Sequence, residues 1–302
     1  MIRAVCLYVA RGAAGGAVTV SKLAPFTNRL ASVLSAVRVL NSFAVFAATF
    51  VGGLLAGGGQ LSTVFVAAAS MSFGAAFGYA LNDYYDAAAD RVTRSHRPIP
   101  SGALSRRGVL AVSLFCLGVT LLLTLALPLL LRWTVVVLCL VVWLYSVRIK
   151  RTGFWGNLLV SLLAGFTLVF GALSAGHVKH AAFPALLAFL VHLPREVLKD
   201  VQDVEGDVLV GGRSIASALE PETAVKVASL LIVVLAAVAL VPYVVAYYNH
   251  YYFAVVLVLD ALLLWLAATL WMGASGQKLE RAVRILKFTM LVGLAAVGLG
   301  RL

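Results

Sequence analysis

Apolar residues run through this chain in blocks of about 20, the length that crosses a hydrocarbon core, and the blocks are separated by short stretches rich in charge, glycine or proline. The pattern predicts spans over residues 38–57, 61–82, 108–127, 130–147, 155–176, 181–198, 224–245, 251–272 and 284–301. None of the blocks alternates apolar with polar positions as a barrel strand would, and lipid leaves only helices or closed barrels as spanning structures. The expected fold is therefore all-α: a polytopic membrane protein of nine transmembrane helices, with residues 1–302 forming a single integral-membrane domain.

Charge supports this count independently. With the N-terminus on the cytoplasmic side, 21 of the 24 lysines and arginines fall in cytoplasmic segments or span ends; only Arg132, Lys179 and Arg301 fall opposite. That asymmetry is the positive-inside signature, and one missed or invented span would scramble it. It places the protein in the cell membrane, with the N-terminus and both acidic clusters described below on the cytoplasmic side. The first 25 residues read as an interfacial segment leading into the first span rather than as a signal peptide.

Composition agrees, with 62% hydrophobic and 12% charged residues against about 25% charged in soluble domains. The net charge of +12 is spread over loops between spans, which argues against nucleic acid as a partner. Cys6, Cys116 and Cys139 stand alone in apolar surroundings, and His177, His180 and His250 fall in expected loops, so neither residue type forms a metal motif.

The acidic residues are what the bland reading leaves unexplained. Asn82, Asp86 and Asp90 recur at i, i+4, i+8, a drift of about 80° that keeps them on one helix face. Asp83 lies about 100° from Asn82 and belongs less clearly to that face. Asp200, Asp203 and Asp207 follow at i, i+3, i+7, within about 60° if one helix carries all three. Stacked carboxylates repel and call for a cation between them. Oxygen ligands without His or Cys suit Mg2+, which bridges one or two carboxylates to substrate phosphates. Basic residues close by suit a diphosphate: Arg94 and Arg97 after the first cluster, Lys150 in the next cytoplasmic turn, Arg195 and Lys199 before the second cluster.

The strings "NDYYDAAADRVTRSHRPIPSG", residues 82–102, and "DVQDVEGD", residues 200–207, resemble the two aspartate-rich signatures of the UbiA superfamily of intramembrane prenyltransferases. The resemblance extends over essentially the whole chain and implies nine helices around a central lipid-open cavity. It implies Mg2+-dependent transfer of a prenyl group from an isoprenyl diphosphate to a lipid or aromatic acceptor. By that resemblance Asn82, Asp86, Asp90, Asp200, Asp203 and Asp207 hold the metal, with Asp86, Asp203 and Lys150 central to catalysis. Arg94, Arg97, Lys150 and Lys199 bind diphosphate. Arg38, Asn41, Tyr145 and Asn157 face the substrate pocket, and Phe73, Phe77, Trp143, Phe166 and Phe170 are candidates for its aromatic lining.

Within the superfamily both motifs look most like the archaeal lipid branch, which joins a geranylgeranyl group to the free glycerol hydroxyl of geranylgeranylglyceryl phosphate. Prenylation of 4-hydroxybenzoate or another quinone precursor is the alternative. A more distant alternative, an ion-coupled transporter, draws support only from Asp260, alone near the middle of the eighth span. A polar neighbour is expected beside that carboxyl.

Overall fold

The computed structural model describes residues 29–209, 215–273 and 275–301, without the side chains of residues 205–209, 215 and 216. Arg3, Arg11, Lys22, Cys6, Arg213 and the side chain of Asp207 therefore lie outside the described residues.

The helices are α1 (Arg29–Ala36), α2 (Val39–Leu55), α3 (Leu61–Tyr85), α4 (Ala87–Thr93), α5 (Arg106–Thr124), α6 (Leu129–Val147), α7 (Phe154–Ser174), α8 (Ala182–Leu209), α9 (Ile215–Leu219), α10 (Pro221–Val244), α11 (His250–Trp271) and α12 (Gln277–Leu299). Eight segments are long and apolar enough to cross a membrane, and α1 with α2, bent by 46°, makes a ninth. Each expected span thus has its helix, and among the described residues there is no strand.

Their outer surfaces are what lipid requires. Phe43, Phe115, Trp133, Trp155, Tyr251 and Val258 are all more than half exposed, positions that would be costly in water but are solvated by acyl chains. Between helices, where lipid removes the hydrophobic drive, small residues allow backbones to meet. A Cβ on Gly171 would overlap the Thr49 carbonyl oxygen, and one on Gly52 would overlap that of Leu168, so α2 and α7 touch backbone to backbone.

Three apolar clusters flank the centre, one on one side and two on the other. One joins Leu190, Val197 and Leu198 of α8 to Ile232, Leu263, Leu270 and Leu286 of α10, α11 and α12. On the other side, Phe77 and Leu81 of α3 pack with Cys116 of α5, while Phe170 of α7 packs with Leu131 and Val135 of α6. The cavity opens between these halves.

Local sequence sets several of the ends. The Ser105 side chain caps α5 by accepting from Gly108 N at 3.0 Å, and Asn249 caps α11 by accepting from Tyr251 N and Tyr252 N. At the bend between α1 and α2, Arg38 itself adopts left-handed geometry, φ 46° and ψ 58°, at a cost of order 1 kcal/mol or more for a residue with a Cβ. Its ion pair with Asp83, at 3.0 Å, holds it there.

Candidate active site

A cavity of about 880 Å³ lies between α2, α3, α6, α7 and α8, capped by the loop after α4. Its mouth is charged: Arg38, Asn82, Asp83, Arg94, Arg97, Arg195, Glu196, Lys199 and Asp203 border it. Further in, Met71, Val135, Leu138, Val160 and Leu163 replace them. A smaller chamber of about 160 Å³ adjoins it, sharing Asn41, Tyr79, His192 and Arg195, and reaches between α2, α8, α11 and α12.

The first motif straddles a break. α3 ends at Tyr85 and α4 begins at Ala87, yet Asp86 N donates to Asn82 O at 2.8 Å and Asp90 N to Asp86 O at 2.9 Å, preserving the i, i+4, i+8 rise. The second motif needs no such compromise, because α8 continues unbroken to Leu209 and carries Asp200, Asp203 and Asp207 on one helix.

The two motifs meet directly. Arg94 clasps Asp203 with both arms, Nε donating to Oδ1 at 3.0 Å and Nη2 to Oδ2. This bidentate pair is the strong geometry for guanidinium and carboxylate. Lys150 pairs with Asp86. Arg97 bridges Asp90 at 2.5 Å and Asp83 at 3.3 Å, and Asn157 Nδ2 donates to Asp200 Oδ2 at 2.8 Å. Glu196, buried, accepts from Arg195 at 2.8 Å and Lys199 at 2.6 Å.

Stacked carboxylates therefore do have cations between them, as their repulsion demands, and in this structure the cations are the protein's own. No group of three or more His, Cys, Asp or Glu converges as a ready ligand set among the described residues. The donor set nonetheless suits a hard divalent cation: oxygen ligands from both motifs, including the buried Oδ1 of Asn82, which has no hydrogen-bond partner. Asp83 Oδ2 is likewise buried and unpartnered.

Burial raises the Asp90 carboxyl above its ordinary pKa, against the pull of Arg97. Burial also lowers Arg97, reinforced by Arg38 and Arg94 and opposed by Asp83 and Asp90. A guanidinium starting above 12 keeps its proton regardless.

Of Arg38, Asn41, Tyr145 and Asn157, the residues expected to face the substrate pocket, Asn157 alone does not border the cavity. Arg38, Asn41, Tyr145, Asn82, Arg94, Arg97, Lys199 and Asp203 border the main cavity, whereas Asp86, Asp90, Asp200, Lys150 and Asn157 do not. These five are turned into the ion pairs and amide contact just described, because an unpaired charge at a membrane face is costlier than a paired one. The expected aromatic lining is also corrected. Phe77 and Phe170 are buried in packing clusters that Phe166 joins, while Phe73 and Trp143 are exposed; aliphatic side chains with Tyr79 and Tyr145 make the wall instead. Asp260 lacks the expected polar neighbour, since both its oxygens are buried without a partner on the chamber wall.

Sequence reasoning gave Asp83 and Glu196 no place in the site, and structure puts both at its centre. Asp83, outside the helix-face spacing, anchors Arg38 and Arg97. For Glu196 the signal was present as Arg195, Glu196 and Lys199 within one turn. Tyr79, under the Arg38 guanidinium at 5.0 Å, had no such signal.

Comparisons with known proteins agree with this architecture. The family model described as the UbiA prenyltransferase family matches residues 45–292. A digeranylgeranylglyceryl phosphate synthase from Thermococcus kodakarensis is 30% identical over 257 residues, 81% of this chain and 88% of the relative. One of the same name from Thermococcus gammatolerans is 38% identical over 159 residues, 53% of this chain and 58% of the relative. A solved structure described for digeranylgeranylglyceryl phosphate synthase covers 90% of this chain and 98% of its own, at 24% identity and a TM-score of 0.69. A UbiA homologue from Archaeoglobus fulgidus, solved with GPP and Mg2+, covers 88% and 99%, at 18% identity and a TM-score of 0.56. These structures share the fold.

Proposed function

The chain belongs to the UbiA prenyltransferase family, and from that premise we propose that it transfers a geranylgeranyl group from geranylgeranyl diphosphate to the glycerol hydroxyl of geranylgeranylglyceryl phosphate. One observation carries the reading: the Arg94–Asp203 clasp closes the two motifs over a cavity charged at its mouth and aliphatic below. A diphosphate bearing a long hydrocarbon tail needs both. The relatives of the same name support the choice of acceptor.

In this reading Asn82, Asp86 and Asp90 with Asp200, Asp203 and Asp207 hold Mg2+, the ion present in the Archaeoglobus homologue. Bound magnesium would supply positive charge to the departing diphosphate. Arg94, Arg97 and Lys199 line the mouth where diphosphate oxygens lie and donate to them. Arg94 and Lys150 can exchange their carboxylate partners for phosphate oxygens, and Asp203 and Asp86 would then be among the residues that hold the metal. Arg38 and Tyr145 position the reacting carbon, Asn41 faces the acceptor from the junction of the two cavities, and Asn157 steadies Asp200. The apolar wall below excludes water from the allylic cation that forms as the C1–O bond breaks. An ether bond then forms between C1 and the glycerol oxygen as the O–H bond breaks and its proton passes to the released diphosphate. Both motifs face the cytoplasm, in keeping with the basic residues around them.

The test is a competition. Radiolabelled geranylgeranyl diphosphate with Mg2+ is offered geranylgeranylglyceryl phosphate and 4-hydroxybenzoate together. Label should enter the glycerol lipid and vanish with chelation of the metal; label entering only the aromatic acid would replace this acceptor with the quinone-precursor class.

A further inference from the structure

A second cationic group lies where the main cavity meets the smaller chamber, and neither motif contains it. Lys287 on α12 borders the chamber and donates from Nζ to Asn41 Oδ1 at 2.7 Å. It has no carboxylate within ion-pair distance among the described residues. Arg195 borders both spaces; its Nη1 is bound to Glu196, while its Nε is buried without a partner. Glu196 is shared with Lys199 and is the one carboxylate in ion-pair contact with any of these three cations among the described residues, while Asp260 on the chamber wall pairs with none of them. An uncompensated excess of positive charge at intramembrane depth is expensive, and an anionic ligand offsets it.

We propose that Lys287, with Arg195 and Asn41, binds the phosphomonoester of the acceptor, so that the enzyme selects a phosphorylated lipid alcohol over a neutral one. This rests on the acceptor reading above. The donor diphosphate claims the motif side of the cavity, and an attacking hydroxyl must approach C1 from the side opposite the leaving group. A phosphate attached one carbon from that hydroxyl is thereby placed away from the motifs, toward the junction with the chamber. A dianion there needs several converging donors. Lys287 brings an ammonium, Arg195 a guanidinium whose Nε is unpartnered, and Asn41 an amide NH2 beside them. Leu187, Leu291 and Leu294 of the chamber wall suit hydrocarbon, and Asp260 on the same wall makes no ion pair with Lys287.

The experiment uses the full chain in lipid nanodiscs with labelled geranylgeranyl diphosphate and two acceptors, geranylgeranylglyceryl phosphate and its dephosphorylated alcohol. Lys287→Met should raise KM for the phosphorylated acceptor about 10- to 100-fold, the usual weight of a charge-assisted hydrogen bond. Donor KM and the rate with the neutral alcohol should stay within about twofold of the parent. Lys287→Arg should restore most of the loss, and Lys287→Gln carries the same expectation as Lys287→Met if that variant does not survive purification. An unchanged acceptor KM, an equal loss with both acceptors, or a shift in donor KM would overturn the assignment while leaving the acceptor reading intact. If the parent prenylates only the aromatic acid, the acceptor reading itself fails and takes this site with it.

Discussion

The mouth of the cavity and its side chamber handle charge in opposite ways. At the mouth, Asp83, Asp86, Asp90, Asp200 and Asp203 each have a cationic or amide partner, several of them from distant helices. In the chamber, Asp260 has none and Lys287 holds only a neutral amide. A paired site is stable without a ligand and opens by exchanging partners. An unpaired one carries its desolvation cost permanently, and a ligand or a proton must relieve it. The mouth is thus built for a polyanion that arrives with its own metal, and the chamber for a group that completes an unfinished charge balance.

The sharpest way to break this contrast is at the mouth. Asp203→Ala removes one motif's contact with the other, and prenyl transfer should fall by about 1000-fold, as expected when several kcal/mol of metal-borne charge stabilisation is lost. Arg94, left behind with part of its side chain exposed at the cavity mouth, should not unfold the protein, so a circular dichroism spectrum should match the parent. Full activity in Asp203→Ala, or in Asp86→Ala, would end the paired-motif account. Next in size is Arg97→Ala, which strands Asp90 and leaves Asp83 to Arg38 alone. Because that cluster is buried, stability should drop by roughly 3 kcal/mol, read as an earlier thermal transition in detergent. Equal stability would mean the mouth tolerates unpaired charge as the chamber does. The smallest effect is expected with opposite sign: Asp260→Leu removes an unpartnered carboxyl, and the same melting measurement should show a gain of about 1–2 kcal/mol. A loss instead would reveal a partner that Asp260 acquires in the membrane.

Much of this molecule was legible along the chain because lipid simplifies the code. A run of about 20 apolar residues has few structural options, so each of the nine expected spans coincides with a helix. Even so, α8 runs on to Leu209 beyond the expected end at 198, and α12 begins at Gln277 before the expected start at 284. Each motif was legible for a related reason. The rise from Asn82 to Asp86 to Asp90, and from Asp200 to Asp203, is a local property of a helix. Direction was not legible. Nothing in the spacing said that Asp86 and Lys150, 64 positions apart, would turn toward each other and off the cavity wall. Nor did it say that Asp83, off the helix face, would anchor two arginines. The aromatic lining failed for the same reason: Phe77 and Phe170 look alike in sequence whether they face a substrate, a neighbouring helix or lipid.

By itself, then, the sequence determined the helices, their number and the two acidic ladders, since each depends on residues within a turn or a span of one another. Only the tertiary structure decided which cation answers which carboxylate, that the wall below is aliphatic, and that Asn41, Arg195 and Lys287 meet. Those contacts join residues as far as 246 positions apart, and close packing of helices, not local spacing, brings such side chains within reach.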